Sequence, residues 1–392
     1  MKRIAILGST GSIGRQCLKV VESLPDRLQI VALAAGSNLD ELVGQIRQHK
    51  PSLVSVGDSA KASELASRLR AAGINPLPEI QHGNAGNRAV ATHPEAQVVV
   101  SAAVGVVGLE ATYAAIVAGK QVALSNKEVL VAAGEIVMAA AKKSGVEILP
   151  VDSEHNAVHQ CLRAGTHGEV RRIVLTASGG PFRKTPLADI ASATPEQALA
   201  HPNWKMGPRI TIDSATLVNK GFEVIEARWL FSMPLEKIEV VIHPQSTIHS
   251  MVEFVDSSVL AQLGPTDMRM PIQYALTYPE RVESEEVMLE WGSLRRLDFE
   301  RVSTRRFPCL KLAREASRRG GILPAAFNAA DEVAVAAFLS GQMKFGGIPR
   351  VIEEVLARVP RSKPTGIDDV LAADAEARRL AGEEIRKLDR AA

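Results

Sequence analysis

Two carboxylates, Asp152 and Glu154, stand two residues apart in the stretch Pro150-Val151-Asp152-Ser153-Glu154-His155-Asn156. They follow the run Val146-Glu147-Ile148-Leu149. Side chains alternate along a strand, so residues two apart share a face. The spacing aims both acids from one face at a strand's carboxyl end, where open α/β sheets bind ligands. Acids this close repel each other, and need a cation between them or a proton on one of them. The plain alternative is a solvated turn with a helix N-cap. A second polar group lies at Asp213-Ser214-Ala215-Thr216-Leu217-Val218-Asn219-Lys220-Gly221-Phe222-Glu223. At about 100° per residue, Asn219, Lys220 and Glu223 fall within an arc of about 100° on one helix face. An amide, an ammonium and a carboxylate so placed suit a phosphate beside a metal. A Lys–Glu pair on a solvent-facing stripe is the other reading. His155 and His159 have a spacing of four that can hold zinc. Their order is Glu-His-x-x-x-His, however, which favours packing or hydrogen bonding to the acid pair.

These groups need a scaffold, and the first 150 residues supply one. Apolar runs at Ile4–Leu7, Ile30–Ala34, Leu53–Val56, Val98–Val100, Val122–Leu124 and Ile148–Leu149 alternate with helical patterns at Ser12–Leu24, Leu39–His49, Lys61–Ala72, Leu109–Ala118 and Glu128–Lys143. Apolar runs without alternation suit strands covered on both faces, so the fold class is α/β with an N-terminal Rossmann-like parallel sheet. Gly8-x-x-Gly11-x-x-Gly14 follows the first strand and opens a helix. Its glycines allow a tight turn, close approach to a pyrophosphate and close helix–strand packing, and the helix N-terminus offers free N–H groups. The second strand ends Ala34-Ala35-Gly36-Ser37-Asn38, without the acid that takes a ribose 2′-hydroxyl in NAD sites. An acid there would repel a 2′-phosphate, so its absence points to NADPH.

From residue 151 to about 277 the rhythm changes to a central α+β domain. A strand at Arg172–Thr176 precedes a Pro- and Gly-rich segment, Ser178 to Gly207, too long for an ordinary connection and of the kind that is either a lid or disordered. One helix is predicted from about Asp213 to Leu230, then strands at Ile238–Ile242, Ile248–Phe254 and Val259–Leu263. Residues 278–303 read as an arm between domains. Residues 304–392 read as a C-terminal helical domain, with helices at Leu310–Arg318, Pro324–Leu339, Pro349–Val359 and Asp368–Leu388.

Composition narrows the function classes. A net charge of +2 makes no case for nucleic acid or a membrane surface as partner. No apolar stretch is long enough to span a bilayer. Cys17, Cys161 and Cys309 are far apart and form no CxxC pair, which fits a reducing cytoplasm. Lys2 and Arg3 lead straight into a strand and glycine turn, not into a signal peptide.

The chain resembles the 1-deoxy-D-xylulose 5-phosphate reductoisomerases over essentially its whole length. The resemblance is carried by the glycine turn Gly8 to Gly14, Ala123-Leu124-Ser125-Asn126-Lys127-Glu128, and Pro150 to His155. It continues through Ser178-Gly179-Gly180-Pro181-Phe182-Arg183, His201-Pro202-Asn203-Trp204-Lys205-Met206-Gly207, the Asp213–Glu223 helix and His243-Pro244-Gln245-Ser246. It implies a V-shaped subunit in a homodimer, with a cofactor, a catalytic and a helical domain. It implies Asp152, Glu154 and Glu223 as ligands of Mg²⁺ or Mn²⁺, hard cations that prefer oxygen donors. It implies Ser178, Ser214, Asn219 and Lys220 around a sugar phosphate, and Lys127 and Ser153 on its carbon chain and hydroxyls. His201, Trp204 and Met206 would lie on the lid. Thr10, Gly11, Ser12, Ile13, Gly36, Ser37, Asn38, Asn126, Glu128 and Gly207 would border NADPH. Lys127, Asp152, Glu154, His201 and Glu223 would form the catalytic set. One departure stands out: some relatives carry Lys where this chain has Ser37, which weakens the case for discrimination against NADH. The implied activity is NADPH- and metal-dependent conversion of 1-deoxy-D-xylulose 5-phosphate to 2-C-methyl-D-erythritol 4-phosphate, in isoprenoid precursor synthesis by the non-mevalonate route. A semialdehyde-type dehydrogenase using Cys161, and an NADP-sensing binding protein, are the rivals. The first lacks the motif around its cysteine, and the second has no use for three converging carboxylates.

Overall fold

The computed structural model describes residues 1–204, 206–284 and 288–390, so Lys205 of the lid motif and part of the arm lie outside the described residues. By internal contacts the chain divides into two compact units. One comprises Met1–Val129, Val137–Asn156 and Asp267–Val287, and the other Leu130–Ile136, Ala157–Thr266 and Met288–Ala392.

The first unit is built on a parallel sheet of β1 (Lys2–Leu7), β2 (Leu28–Ala34), β3 (Leu53–Val56), β4 (Glu79–His82), β5 (Val98–Ser101), β6 (Gln121–Leu124) and β7 (Ile148–Pro150), in the order β4-β3-β2-β1-β5-β6-β7. Its apolar runs are buried on both faces: every residue of β3 and β5 is buried. The strand order reverses between β1 and β5, which pair directly from Ile4↔Val98 to Leu7↔Ser101. This is the switch point at which such sheets bind ligands, and the glycine turn leaves β1 there. The strand β4 and the helix Gly83–Ala91 after it were not expected. Glu-Ile-Gln-His is an edge strand with no residue fully buried, so it carries no apolar signature. A late segment also belongs to this unit: Ile272, Ala275 and Leu276, on the helix Arg269–Thr277, join the core of Ile4, Ile6, Leu33 and Leu149. Lys2 Nζ donates to the carbonyls of Leu276 and Tyr278 at 3.1 and 2.8 Å.

The second unit holds a mixed sheet of β8 (Val170–Ala177), β9 (Ile238–Ile242), β10 (Ile248–Phe254), β11 (Val259–Leu263) and β12 (Glu300–Arg301), ordered β11-β10-β8-β9-β12. Only the β8–β9 pair is parallel; the other three pairings are antiparallel. The helix expected from Asp213 to Leu230 is two helices, Pro208–Thr216 and Val218–Leu230. They meet at Leu217, which takes the left-handed conformation (φ 58°, ψ 22°) that breaks a helix. Helices Pro308–Arg319, Leu323–Leu339, Gly347–Arg358 and Ile367–Arg390 follow. They share one core with those two: Phe222 meets Phe327 edge-on at 5.5 Å, within a cluster that includes Ile212, Ala313, Val351 and Leu380. Among its described residues, the polar 178–207 segment contains two short helices, Leu187–Ile190 and Pro195–Leu199. None of the described helices is long and apolar enough to cross a membrane.

Candidate active site

In the first unit the glycine turn is shaped by close backbone approach. Gly8 sits at φ +87°, and a Cβ there would lie 2.6 Å from the Ala102 carbonyl oxygen; a Cβ on Gly14 would lie 2.3 Å from that of Gly8. Neither position admits a side chain. The helix Ser12–Ser23 begins at Gly11 with no side-chain cap, so its first N–H groups are presented to whatever lies over the turn. Gly11 and Ser12 are exposed there, with Thr10 and Ile13 half-buried. Gly36, Ser37 and Asn38 are exposed after β2, and the Asn38 side chain caps the helix Leu39–His49 by accepting from Glu41 N at 3.3 Å. Asn126, 3% exposed, donates to the Gly105 carbonyl at 2.8 Å. Its amide oxygen is buried with no donor among the described residues, as is the Ser9 hydroxyl in the turn. Orphaned buried acceptors call for an explanation, and a bound N–H or O–H group supplies one. Glu128, half-buried, opens the helix Glu128–Ser144 beside them.

Asp152 and Glu154 lie beyond β7, but not by strand alternation as the spacing suggested. Asp152 follows the strand, and Glu154 occupies the first turn of the helix Ser153–Leu162, where the helix dipole favours acids. Lys127 Nζ reaches Asp152 Oδ2 at 2.9 Å, and His155 Nδ1 lies 3.4 Å from the same oxygen. Burial alone would raise the Asp152 carboxyl; the Lys127 ammonium and His155 outweigh it and hold the group well below the usual carboxylate range. Asp152 is therefore an ionised, half-buried oxygen donor. The Ser153 hydroxyl donates to Glu154 Oε2. Of the proposed zinc pair, His155 thus partners Asp152, and burial pushes His159 down to about 4.

In the second unit the arc predicted from periodicity is present. Asn219 Nδ2 donates to Glu223 Oε1 at 2.7 Å, and Lys220 Nζ lies 2.5 Å from Glu223 Oε2. Lys220 is 3% exposed and Glu223 fully buried, so this is no solvent-facing stripe. Ser178 leaves β8, and the turn after it runs against Ser214: at Gly180 (φ +62°) a Cβ would lie 2.7 Å from the Ser214 carbonyl oxygen. Ser214 itself donates to the Ile210 carbonyl at 2.9 Å. From the lid, His201 Nε2 lies 3.0 Å from Ser178 Oγ. His201 Nδ1 accepts from the backbone N–H groups of Asn203 (3.2 Å) and Trp204 (2.9 Å). A nitrogen accepting two N–H bonds is unprotonated, so Nε2 carries the proton and donates to Ser178. Burial lowers the His201 pKa. The Trp204 ring lies 6.3 Å from that of His249, and Met206 is half-buried. Asn203, to which no role was given from sequence, donates to the Pro244 carbonyl and lies 3.5 Å from Ser246 Oγ. His243-Pro244-Gln245-Ser246 was visible as a motif, yet nothing local in it announces a partner for the lid. Cys161 is buried on the helix Ser153–Leu162.

Three family profiles match in succession. One described as 1-deoxy-D-xylulose 5-phosphate reductoisomerase covers residues 4–134, one for the C-terminal domain of that enzyme covers 148–231, and one described as DXP reductoisomerase C-terminal domain covers 263–380. A relative of that name from Solibacter usitatus is 51% identical over 98% of this chain and 97% of its own length. Another, from Heliobacterium modesticaldum, is 53% identical over 98% of each. The chain belongs to the 1-deoxy-D-xylulose 5-phosphate reductoisomerase family. Solved family structures agree with the fold throughout. The reductoisomerase from Zymomonas mobilis in complex with NADPH superposes with a TM-score of 0.91 at 43% identity, covering 98% of this chain and 99% of that one. A reductoisomerase in complex with NADPH, fosmidomycin and magnesium gives 0.92 at 38% identity, covering 98% of each. Family membership disposes of both the semialdehyde dehydrogenase and the cofactor-sensor readings.

Proposed function

We propose that this chain converts 1-deoxy-D-xylulose 5-phosphate to 2-C-methyl-D-erythritol 4-phosphate, oxidising NADPH, as a step of isoprenoid precursor synthesis. The observation that carries the reading is Asp152: an ionised carboxylate held by Lys127 and His155 at the end of a parallel strand, in a chain of this family.

The residues fit both implied groups. NADPH is held by Thr10, Gly11, Ser12 and Ile13 at the uncapped helix N-terminus, by Gly36, Ser37 and Asn38 after β2, and by Asn126, Glu128 and Gly207. The orphaned acceptors of Ser9 and Asn126 support this placement. A divalent cation, Mg²⁺ or Mn²⁺, is held by Asp152, Glu154 and Glu223, all oxygen donors as such ions prefer. When bound, NADPH supplies hydride and the cation polarises ketone and hydroxyl oxygens. The chain's own residues do the rest. Ser178, Ser214, Asn219 and Lys220 hold the phosphate and so align the reacting carbons. Lys127 and Ser153 orient the carbon chain and hydroxyls. His201, Trp204 and Met206 close over the substrate and exclude water, with His201 donating through Nε2 to Ser178 in the closed arrangement. Function divides the chain into a cofactor domain (1–150), a catalytic and dimerisation domain (151–277, with the lid at 178–207), an arm (278–303) and a helical domain (304–392). The working form is a homodimer in the cytoplasm, where the buried thiols Cys17, Cys161 and Cys309 stay reduced.

The test is loss of NADPH absorbance on mixing the protein with Mg²⁺ and the sugar phosphate. Turnover is expected, and chelation should abolish it. The conversion calls for a rearrangement of the carbon skeleton to a branched aldehyde phosphate before hydride transfer, and that aldehyde, supplied synthetically, should be reduced without a lag. Turnover that survives chelation, or an aldehyde left untouched, would refute the reading.

A further inference from the structure

The helix Pro208–Thr216 leaves the lid at Gly207 and carries Ser214. A buried polar cluster joins it to the helix Leu323–Leu339. Arg209 Nη1 donates to Glu332 Oε1 at 2.9 Å, and its Nη2 donates to Asn328 Oδ1 at 3.1 Å. The same guanidinium lies 3.7 Å from Asp213 Oδ2 and 3.8 Å from Asp331 Oδ2, beyond hydrogen-bonding distance. Asp331 is fully buried and Asp213 is 3% exposed. Among the described residues no N–H or O–H donor reaches either oxygen of Asp331. Asp213 and Asp331 approach one guanidinium side by side, the first from Nε and the second from Nη2, so the two buried carboxyls are neighbours.

Ionised carboxylates only accept hydrogen bonds. Two of them facing each other away from water are held together only if one keeps its proton. Arg209 is shared among Asp213, Asp331 and Glu332, so its single charge cannot balance all three. Arg378, from the helix Ile367–Arg390, is taken up by Glu332 at 2.5 Å and Asp374 at 2.6 Å. From the helix Pro308–Arg319 the pair is faced by the Cys309 thiol, which burial and then these acids push far up, so it stays neutral.

We propose that Asp213 and Asp331 are positioning residues for the reaction: by sharing one proton they pin the helix Pro208–Thr216, and with it Ser214 and the end of the lid, to the helix Leu323–Leu339. The consequence for catalysis rests on the assignment of Ser214 to the phosphate pocket. Burial, and then the Asp213 charge, push the Asp331 carboxyl well above its usual range, so the proton is retained where ordinary carboxyls have lost theirs. A raised folded-state value gives stability that is complete below the ordinary carboxyl range and is lost as pH rises through the raised value.

Two variants and three measurements test this. Asp331→Asn replaces the shared proton with a permanent amide donor to Asp213. Asp331→Ala removes it. Above the ordinary carboxyl range of pH, the parent should show an infrared band of a protonated carboxyl that is missing from Asp331→Asn. As pH is raised beyond the ordinary carboxyl range, the parent's melting temperature should fall relative to that of Asp331→Asn. The KM for the sugar phosphate should rise about tenfold in Asp331→Ala, as for loss of one charged hydrogen bond, and stay within about twofold of the parent in Asp331→Asn, with the KM for NADPH unmoved in both. The proposal is overturned if the band is absent, if the melting-temperature difference does not depend on pH, or if Asp331→Asn is as impaired as Asp331→Ala. An unchanged KM in Asp331→Ala overturns the positioning role even if the band is present. Turnover of the sugar phosphate by the parent, read in the same assay, tests the assigned activity separately.

Discussion

Replacing Gly180 by alanine perturbs the proposed phosphate pocket without altering any side chain assigned to it. Gly180 has φ +62°, and an added Cβ would fall 2.7 Å from the Ser214 carbonyl oxygen and 3.0 Å from the Ala215 Cα. Both contacts are backbone of the helix Pro208–Thr216, so no flexible side chain can yield; the turn or the helix must move. The left-handed conformation costs alanine about 1–2 kcal/mol, and the crowding adds to it. Moving the turn separates Ser178 from Ser214. Each serine supplies a hydrogen bond to a charged phosphate in the proposed site, worth about 1.5–3 kcal/mol. Losing one such contact raises KM for the sugar phosphate between about tenfold and about a hundredfold. Because the contact is made in ground and transition states alike, kcat should change much less. Steady-state NADPH oxidation, run well below the melting temperature, separates the two parameters. Gly168→Ala is the control, since nothing lies within 4 Å of a Cβ built there. If Gly180→Ala lowers the melting temperature but leaves KM for the sugar phosphate unchanged, the pairing of Ser178 with Ser214 around the phosphate is wrong.

His201 titrates below its ordinary value because it is buried, and its Nδ1 already accepts two backbone N–H groups. Protonation would break both bonds, so affinity for the sugar phosphate is complete above the ordinary histidine range and should fall as pH drops through the lowered value; His201→Gln should flatten that acid limb in a pH–KM profile. Glu223→Gln removes a fully buried carboxylate and leaves Lys220 without its anionic partner; activity should be lost with Mn²⁺ affinity, as read by calorimetry, while NADPH binding stays within about twofold of the parent. Ser37 is exposed at the end of β2 with no acid in the turn; Ser37→Asp should shift the ratio of kcat/KM toward NADH, and a parent that uses both cofactors equally would contradict the assignment.

What the sequence reveals depends on how far apart the cooperating residues lie. The glycine turn was legible because Gly8, Gly11 and Gly14 act within one turn, next to an apolar strand that announces itself. Asn219, Lys220 and Glu223 were legible for the same reason: helical periodicity alone puts them on one face, as their hydrogen bonds show. The acid pair was legible as a pair, but its geometry was misread. Strand alternation and a strand-to-helix junction both bring residues two apart together, and only the Ser153–Leu162 helix distinguishes them. The break at Leu217 was hidden because leucine gives no signal of a left-handed backbone. The strand Glu79–His82 was hidden because an edge position asks for no apolar pattern.

Asp331 marks the opposite extreme. In sequence it is one of two adjacent acids, with Glu332, in an alanine-rich helix that reads as packing. Its character comes from full burial and from Asp213, on a helix far earlier in the chain. Carboxyl protonation is set by dielectric and neighbouring charge, and both are properties of tertiary packing. A local pattern can therefore reveal which polar residues share a turn or a helix face, but it cannot reveal which acid keeps its proton. The helix Pro208–Thr216 is where the two kinds of information meet: the role proposed for Ser214 rests on its motif, while the role proposed for Asp213, the residue beside it, rests on a partner that only the fold supplies.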